Sequence, residues 1–290
     1  MVSFLFKISP EIKLVPAINL APQSLRGLPA SAGVFLEQWR AGLNYPYIIM
    51  VNDEQAGYAG VGIDTVTREF YIQQLCVDDN YRSKGVCRAV ATMLFDRFAG
   101  NWRVDSASAP DFWCKVLPEY TLAHRIPLLV GRSYSFSRQV NIDLPDVDVP
   151  VMRDDELELT LLRRTLGNRE RMWIPAYEFT MNVGGQQVGR IDLRVGNSFP
   201  IITYNGHIGY GVDQPFRGRH YAARSCRLLL PLARANGMDT IWITANPDNY
   251  PSRRTIVSLG SRLVEIIKLP EDSDAYLHGE YEKCRYRLEV

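Results

Sequence analysis

Apolar and polar positions along the chain fall into two passages with the same order of elements. Residues 70–77 read as a strand, and a polar turn, Asp78-Asp-Asn-Tyr-Arg82-Ser-Lys-Gly85, follows. Val86, Val90, Met93 and Leu94 then recur at helical spacing, which predicts a helix to about Phe98 and a further strand over 102–107. The second passage opens with a strand over 206–212 and the turn Asp213-Gln-Pro-Phe-Arg217-Gly-Arg-His220. A helix is predicted from Tyr221 to about Asn236, stopped by Gly237, with the next strand over 241–245. Pro231 lies inside that helix and is expected to kink it, because proline removes a backbone hydrogen bond and clashes with the preceding turn.

Between the two passages, residues 141–150 alternate Asp and Pro, a pattern that suppresses helix and reads as a linker or an extended crossover. The expected division is residues 1–143, a linker at 144–150, and residues 151–290. The passages share an order of elements and little identity.

Each turn is basic, contains glycine and opens a helix, which is a physical device for holding a diphosphate. The first amides of a helix lack internal partners and carry the positive end of the helix dipole, and arginine adds a charged fork that matches phosphate oxygens. From Gln214 to Asn236 there is no acidic residue, whereas Arg217, Arg219, Arg224, Arg227 and Arg234 are present. A solvated helix face is the plainer reading of those arginines.

The turn Arg217-Gly-Arg-His-Tyr-Ala222 resembles the acyl-CoA signature R/Q-x-x-G-x-G/A of the GNAT superfamily. The strand Gly206-His-Ile-Gly-Tyr-Gly-Val212 before it, and Asn246-Pro-Asp-Asn249-Tyr-Pro-Ser252 with Leu259-Gly260 after it, resemble the elements that flank that signature. His220 stands where the signature has its central glycine. The first passage matches as Arg82-Ser-Lys-Gly85-Val-Cys87, with Cys87 in place of the last small residue. Trp113 falls where many members carry a tyrosine that protonates the leaving thiolate, so the first domain is expected to be degenerate.

The resemblance implies a mixed α/β fold: two tandem domains, each a mostly antiparallel, splayed sheet flanked by helices. It implies transfer of an acetyl group from acetyl-CoA, as co-substrate and without metal, to a primary amine. The expected cofactor contacts are Val212, Arg217, Gly218, Arg219, His220, Tyr221, Ala222, Asn249 and Ser252, with Arg82 and Gly85 in the first domain. Asn249 and Ser252 also suit helix capping. A bulged central strand would free an amide to polarise the thioester carbonyl, and Gly209 and Gly211 suit a strand that bends.

The attacking amine needs a base, for which His207 and Glu178 are candidates; Asp192 is expected to pair with a nearby arginine. The tyrosine acid expected seven residues after Asn249 is Ile256 here, leaving Tyr210 and Tyr250 as substitutes. Trp39, Trp102, Trp173 and Trp242 read as core or cleft wall.

Composition sets further bounds. The chain has 290 residues, 46% of them hydrophobic, enough for one large domain or two ordinary ones. Its net charge of +1 does not indicate nucleic acid as a partner and does not exclude it. Five cysteines without a C-x-x-C pair indicate neither a disulfide framework nor a zinc site. With no signal-peptide pattern at Met1–Lys7 and no run long enough to span a bilayer, the expectation is a cytoplasmic monomer or homodimer.

Two other functions remain open. A non-catalytic CoA-binding module would account for the missing tyrosines. A tRNA-dependent aminoacyl-transferase shares the doubled fold but needs no diphosphate turn, and two basic turns on a near-neutral chain argue against it. The acceptor itself, whether a small molecule, a protein or an amino group on a modified nucleobase, is not separable by composition.

Overall fold

The computed structural model describes residues 10–17, 44–106, 109–117, 120, 122–127 and 132–290. Trp39 and the amino-terminal residues 1–7 lie outside them. The chain divides into two compact units, residues 1–96 with 102–136, and residues 97–101 with 137–290.

The first unit contains β1 (Ile12–Pro16), β2 (Asn44–Val51), β3 (Glu54–Asp64), β4 (Glu69–Val77), α1 (Val86–Arg97), β5 (Phe98–Asp105), α2 (Pro110–Val116), β6 (Leu122–Pro127) and β7 (Arg132–Arg138), apart from residues 97–101 and 137–138, which count with the second. Its sheet runs β1-β2-β3-β4-β5-β7-β6. Its aromatic core includes Phe95, Trp102 and Phe136, with Phe95 edge-on to both rings. Trp113, the residue at the tyrosine-like position, is buried and tilted against Phe95, so it belongs to this core.

The second unit contains β8 (Met152–Asp154), β9 (Leu157–Thr165), β10 (Ala176–Val183), β11 (Gln186–Arg194), β12 (Asn197–Ser198), a π-helical turn at Ile201–Asn205, and β13 (Ile208–Val212). Then come α3 (Tyr221–Ala235), β14 (Thr240–Ala245), α4 (Tyr250–Ser258), β15 (Arg262–Lys268), α5 (Asp274–Leu277) and β16 (Glu282–Glu289). Cys226, Leu229, Leu232 and Ala233 recur on one face of α3, and they bury against Phe179 and Ile191 of one sheet and Ile243 and Tyr286 of the other. Gly237, with φ +71°, ends the helix as its spacing predicts. α3 runs unbroken through Pro231, which faces solvent. The Asp- and Pro-rich segment at 141–150 has neither helix nor strand, and Leu144, Val147 and Val149 pack against this second core.

The feature that positions the site is a split in the second unit's sheet. One part runs β13-β11-β10-β9-β8 and the other β14-β16-β15, so among the described residues β13 and β14 are both edges and no ladder joins them. The five cysteines are free thiols. Among the described residues no helix is long and apolar enough to cross a membrane.

Candidate functional site

The two basic turns adopt one backbone conformation. Asp78 and Asp213 both lie in the extended region, and Arg82 and Arg217 share φ −65° and ψ 157°. The amides of Tyr81 and Phe216 each donate to the aspartate carbonyl at 2.9 Å. Left-handed residues follow at matching positions, Ser83 and Gly85 in one turn, Gly218 and His220 in the other. In each turn the arginine Nε donates to the carbonyl that ends the preceding strand, Arg82 to Val77 at 3.0 Å and Arg217 to Val212 at 2.9 Å. The first duty of this arginine is therefore to fold the turn.

What remains of the guanidinium charge differs between the two. Arg82 Nη1 is paired with Asp79 at 2.6 Å. Gln214 stands at the corresponding place in the second turn, and Arg217 has no carboxylate partner among the described residues. The second turn keeps its positive charge and the first spends it internally.

His220 occupies the left-handed region at φ 59° and ψ 15°, which explains why the signature favours glycine here. Histidine is among the side chains that tolerate this region at modest cost. His220→Gly is expected to raise stability by up to about 1 kcal/mol, read as a small rise in melting temperature. A fall would mean that the imidazole makes a contact that outweighs the strain.

Beyond the turn, the amides of Tyr221, Ala222 and Ala223 make no hydrogen bond to the protein among the described residues; the first helical amide to do so is Arg224, to His220. Tyr221 and Ala222 line a cavity of about 520 Å³ whose wall also includes Val212, Arg217, Gly218 and His220. Asn249 and Ser252 stand on the opposite wall with Arg254, a residue the sequence reading did not single out. Arg219 is exposed and outside the lining. Two of the five arginines are committed elsewhere: Arg224 bonds Asp154 and Glu156 at 2.6 and 2.8 Å, and Arg227 bonds the Ser258 carbonyl. Asn249 caps α4 by accepting from the Ser252 amide at 3.1 Å.

A second cavity of about 260 Å³ occupies the split between β13 and β14, with Gly209, Tyr210, Thr244 and Ala245 on its walls. The ladder with β11 fixes the phase of β13, since Arg194 donates to the His207 carbonyl and Asp213 to that of Val188. The alternation of an antiparallel pair therefore turns the amides of Ile208, Tyr210 and Val212 away from β11 and into the split. The expected bulge is absent, because the register runs unshifted from Ile208 to Val212; edge position supplies the free amides instead. Gly209 leaves room for side chains of the adjacent strand. A Cβ there would lie 2.6 Å from the Asp192 carboxylate and 2.8 Å from the Arg194 guanidinium.

His207, one of the candidate bases, lies in the core and not on a cavity wall. It is fully buried, its Nδ1 accepts from the Trp242 amide at 2.9 Å, and its Nε2 lies 3.1 Å from the Gly196 carbonyl. Its own amide donates to the Trp242 carbonyl. These bonds pin β13 to β14 at the closed end of the split. Burial holds the imidazole pKa down to about 3, opposed by the Gly196 bond, so it stays neutral.

A third cavity of about 1070 Å³ lies on the polar face of the β9–β11 sheet and shares Arg194, Asn205 and Lys283 with the split. Glu178 and Asp192 sit opposite each other on its floor. Arg163 pairs with Glu178 and Arg194 with Asp192, both at 2.9 Å, the latter as its spacing suggested. Burial pushes the Asp192 carboxyl above the usual range; Arg194 opposes this and Glu178 adds to it. The Tyr210 hydroxyl lies 3.0 Å from Ser252 Oγ on the wall shared with the first cavity, and burial pushes its pKa up to about 12. Tyr250 is 62% exposed and lines none of the three cavities, and Ile256 is core.

A model of the acetyltransferase (GNAT) domain matches residues 145–262, and a model of the acetyltransferase (GNAT) family matches residues 19–109. No curated protein matches the sequence. Among solved structures, the microcin C7 self-immunity acetyltransferase MccE, in complex with acetyl-CoA and AMP, is 17% identical over 40% of this chain and 61% of its own, with a TM-score of 0.33. The apo ribosomal L7/L12 alpha-N-protein acetyltransferase RimL is 14% identical over 52% and 99%, with a TM-score of 0.37. Mycobacterium smegmatis RimJ, in complex with CoA-disulfide, is 21% identical over 42% and 56%, with a TM-score of 0.31. The chain thus spans less than two thirds of MccE and of RimJ. With two family models matched in succession over most of its length, the chain belongs to the GNAT acetyltransferases and carries two of their domains in tandem.

Proposed function

We propose that the second domain, residues 151–290, is the working N-acetyltransferase, taking its acetyl group from acetyl-CoA and passing it to a primary amine, and that residues 1–143 form a domain with a neutralised diphosphate turn. The observation that carries this reading is the difference between the arginines: Arg217 keeps a free charge at the entrance of α3, whereas Arg82 is bound to Asp79.

The residues present suit the co-substrate. Three unpartnered amides at the start of a 15-residue helix, with Arg217 and Arg254 beside them, are a site for a diphosphate. Acetyl-CoA bound there supplies the thioester. The amides of Tyr210 and Val212 hold donors in the split for the carbonyl oxygen, whose negative charge grows as the amine attacks. Asp192, in place of His207, takes the amine proton, directly or through one water. The new N–C bond forms as the C–S bond breaks. Tyr210, kept protonated by its environment, donates to the departing sulfur and recovers its proton from solvent.

Titration with acetyl-CoA tests the assignment. Arg217→Glu places a carboxylate against the diphosphate and is expected to weaken binding about 10- to 100-fold, some 1.4–2.7 kcal/mol. Arg82→Glu is expected to change it less than about twofold. Equal losses would place the working site in the wrong domain.

A further inference from the structure

The large cleft on the β9–β11 face carries information about the acceptor. Its far end is apolar and uncovered: Leu162, Leu166 and Trp173 line it, and Trp173 is 52% exposed. Trp173 is nevertheless held in place. Its amide and carbonyl both bond Asn168, at 2.9 and 2.8 Å, and the Arg171 guanidinium lies 4.8 Å over its ring. A large aromatic side chain half exposed on a cleft wall, with Arg171 over its ring, still offers apolar surface to a ligand.

The distance from that surface to the chemistry follows from the strand. Trp173 precedes Glu178, the cross-strand partner of Asp192, by five positions, so their Cα atoms are at most about 18 Å apart. That is the length of four to five residues of extended chain, and the cavity, at about 1070 Å³, has room for one.

Charge narrows the acceptor further. Each carboxylate of the cleft is already held by a cation: Glu178 by Arg163, Asp192 by Arg194 and Glu280 by Lys283. Arg190, on the same floor, has no such partner among the described residues. A polycationic acceptor would have to break an existing pair, whereas an anionic one finds an available arginine.

We infer that the acceptor is the terminal amine of an extended, peptide-like chain with an aromatic or apolar side chain four to five residues from the amine and acidic or neutral residues between. The inference rests on the acetyltransferase reading above, with Asp192 at the reacting end.

The test measures thiol release from acetyl-CoA with four amines: the peptide Ser-Glu-Ala-Glu-Phe, its lysine counterpart Ser-Lys-Ala-Lys-Phe, the dipeptide Ser-Glu amide, and spermidine. The glutamate pentapeptide is expected to exceed each of the others at least tenfold in kcat/KM. Trp173→Ala should cut the ratio of pentapeptide to dipeptide about tenfold, and Arg190→Glu should invert the ratio of glutamate to lysine peptide. Preference for spermidine or the lysine peptide, equality of pentapeptide and dipeptide, ratios that survive both substitutions, or turnover of no peptide would overturn the inference. Acetyl-CoA titration of the same preparations separates the two levels. If the coenzyme binds and the amine pattern fails, only the acceptor is wrong; if it does not bind, the acetyltransferase reading fails first.

Discussion

Asp192→Asn lowers kcat by about a hundred- to a thousandfold and leaves acetyl-CoA affinity within about twofold. The amide has the shape of the carboxylate and its oxygen can still accept from Arg194, so the floor of the cleft keeps its form. The negative charge facing Arg194 is lost, and with it the ability to take a proton. In the wild type the base must be ionised, and burial, with a further push from Glu178, holds its pKa above the ordinary aspartate value against the pull of Arg194. The rate is therefore expected to fall as pH drops through that raised pKa, and Asp192→Asn should lack this acidic limb. A variant with near-native kcat, or one that keeps the limb, would move the base to Glu178, its neighbour across the strands.

His207→Ala costs about 3–5 kcal/mol of stability. Two buried polar groups lose their partner, the Trp242 amide and the Gly196 carbonyl, at about 1–3 kcal/mol each, and a cavity opens between β13 and β14. The pH dependence has a definite sign. The folded imidazole has its pKa depressed to about 3, whereas in the unfolded chain it titrates near 6.5. Its contribution is fully present above pH 6.5 and diminishes as pH falls toward 3, by roughly 1.4 kcal/mol per unit while one proton separates the states. Denaturant melts from pH 7 to pH 5 should show a steeper loss for the wild type than for a His207→Gln variant. Parallel slopes would mean that the ring is reached by solvent and is free to act as the sequence suggested.

Much of this arrangement is legible in the letters. The strand, basic turn and helix of each half follow from local periodicity and from glycines at left-handed positions, and local signals suffice for them. The contrast between the turns is also readable, since Asp79 stands three residues before Arg82 and Gln214 three before Arg217. What escapes the sequence is non-local. A histidine opening a strand looks like an accessible base until β14 closes over it through Trp242. Arg224 belongs to an apparently unopposed basic run, yet its carboxylates come from a hairpin some 70 residues away. Gly209 reads as a bending residue, whereas it clears space for the Asp192–Arg194 pair on the adjacent strand. The split itself is a missing ladder between two strands, and a missing pairing leaves no periodicity to read.

Hydrogen–deuterium exchange with and without acetyl-CoA tests the central claim most directly, because it watches the helix entrance itself. Slowed exchange at the amides of residues 218–223, with no change across 83–88, is the predicted result. Unaltered exchange at 218–223 under saturating acetyl-CoA, or protection confined to the first turn, would contradict the account.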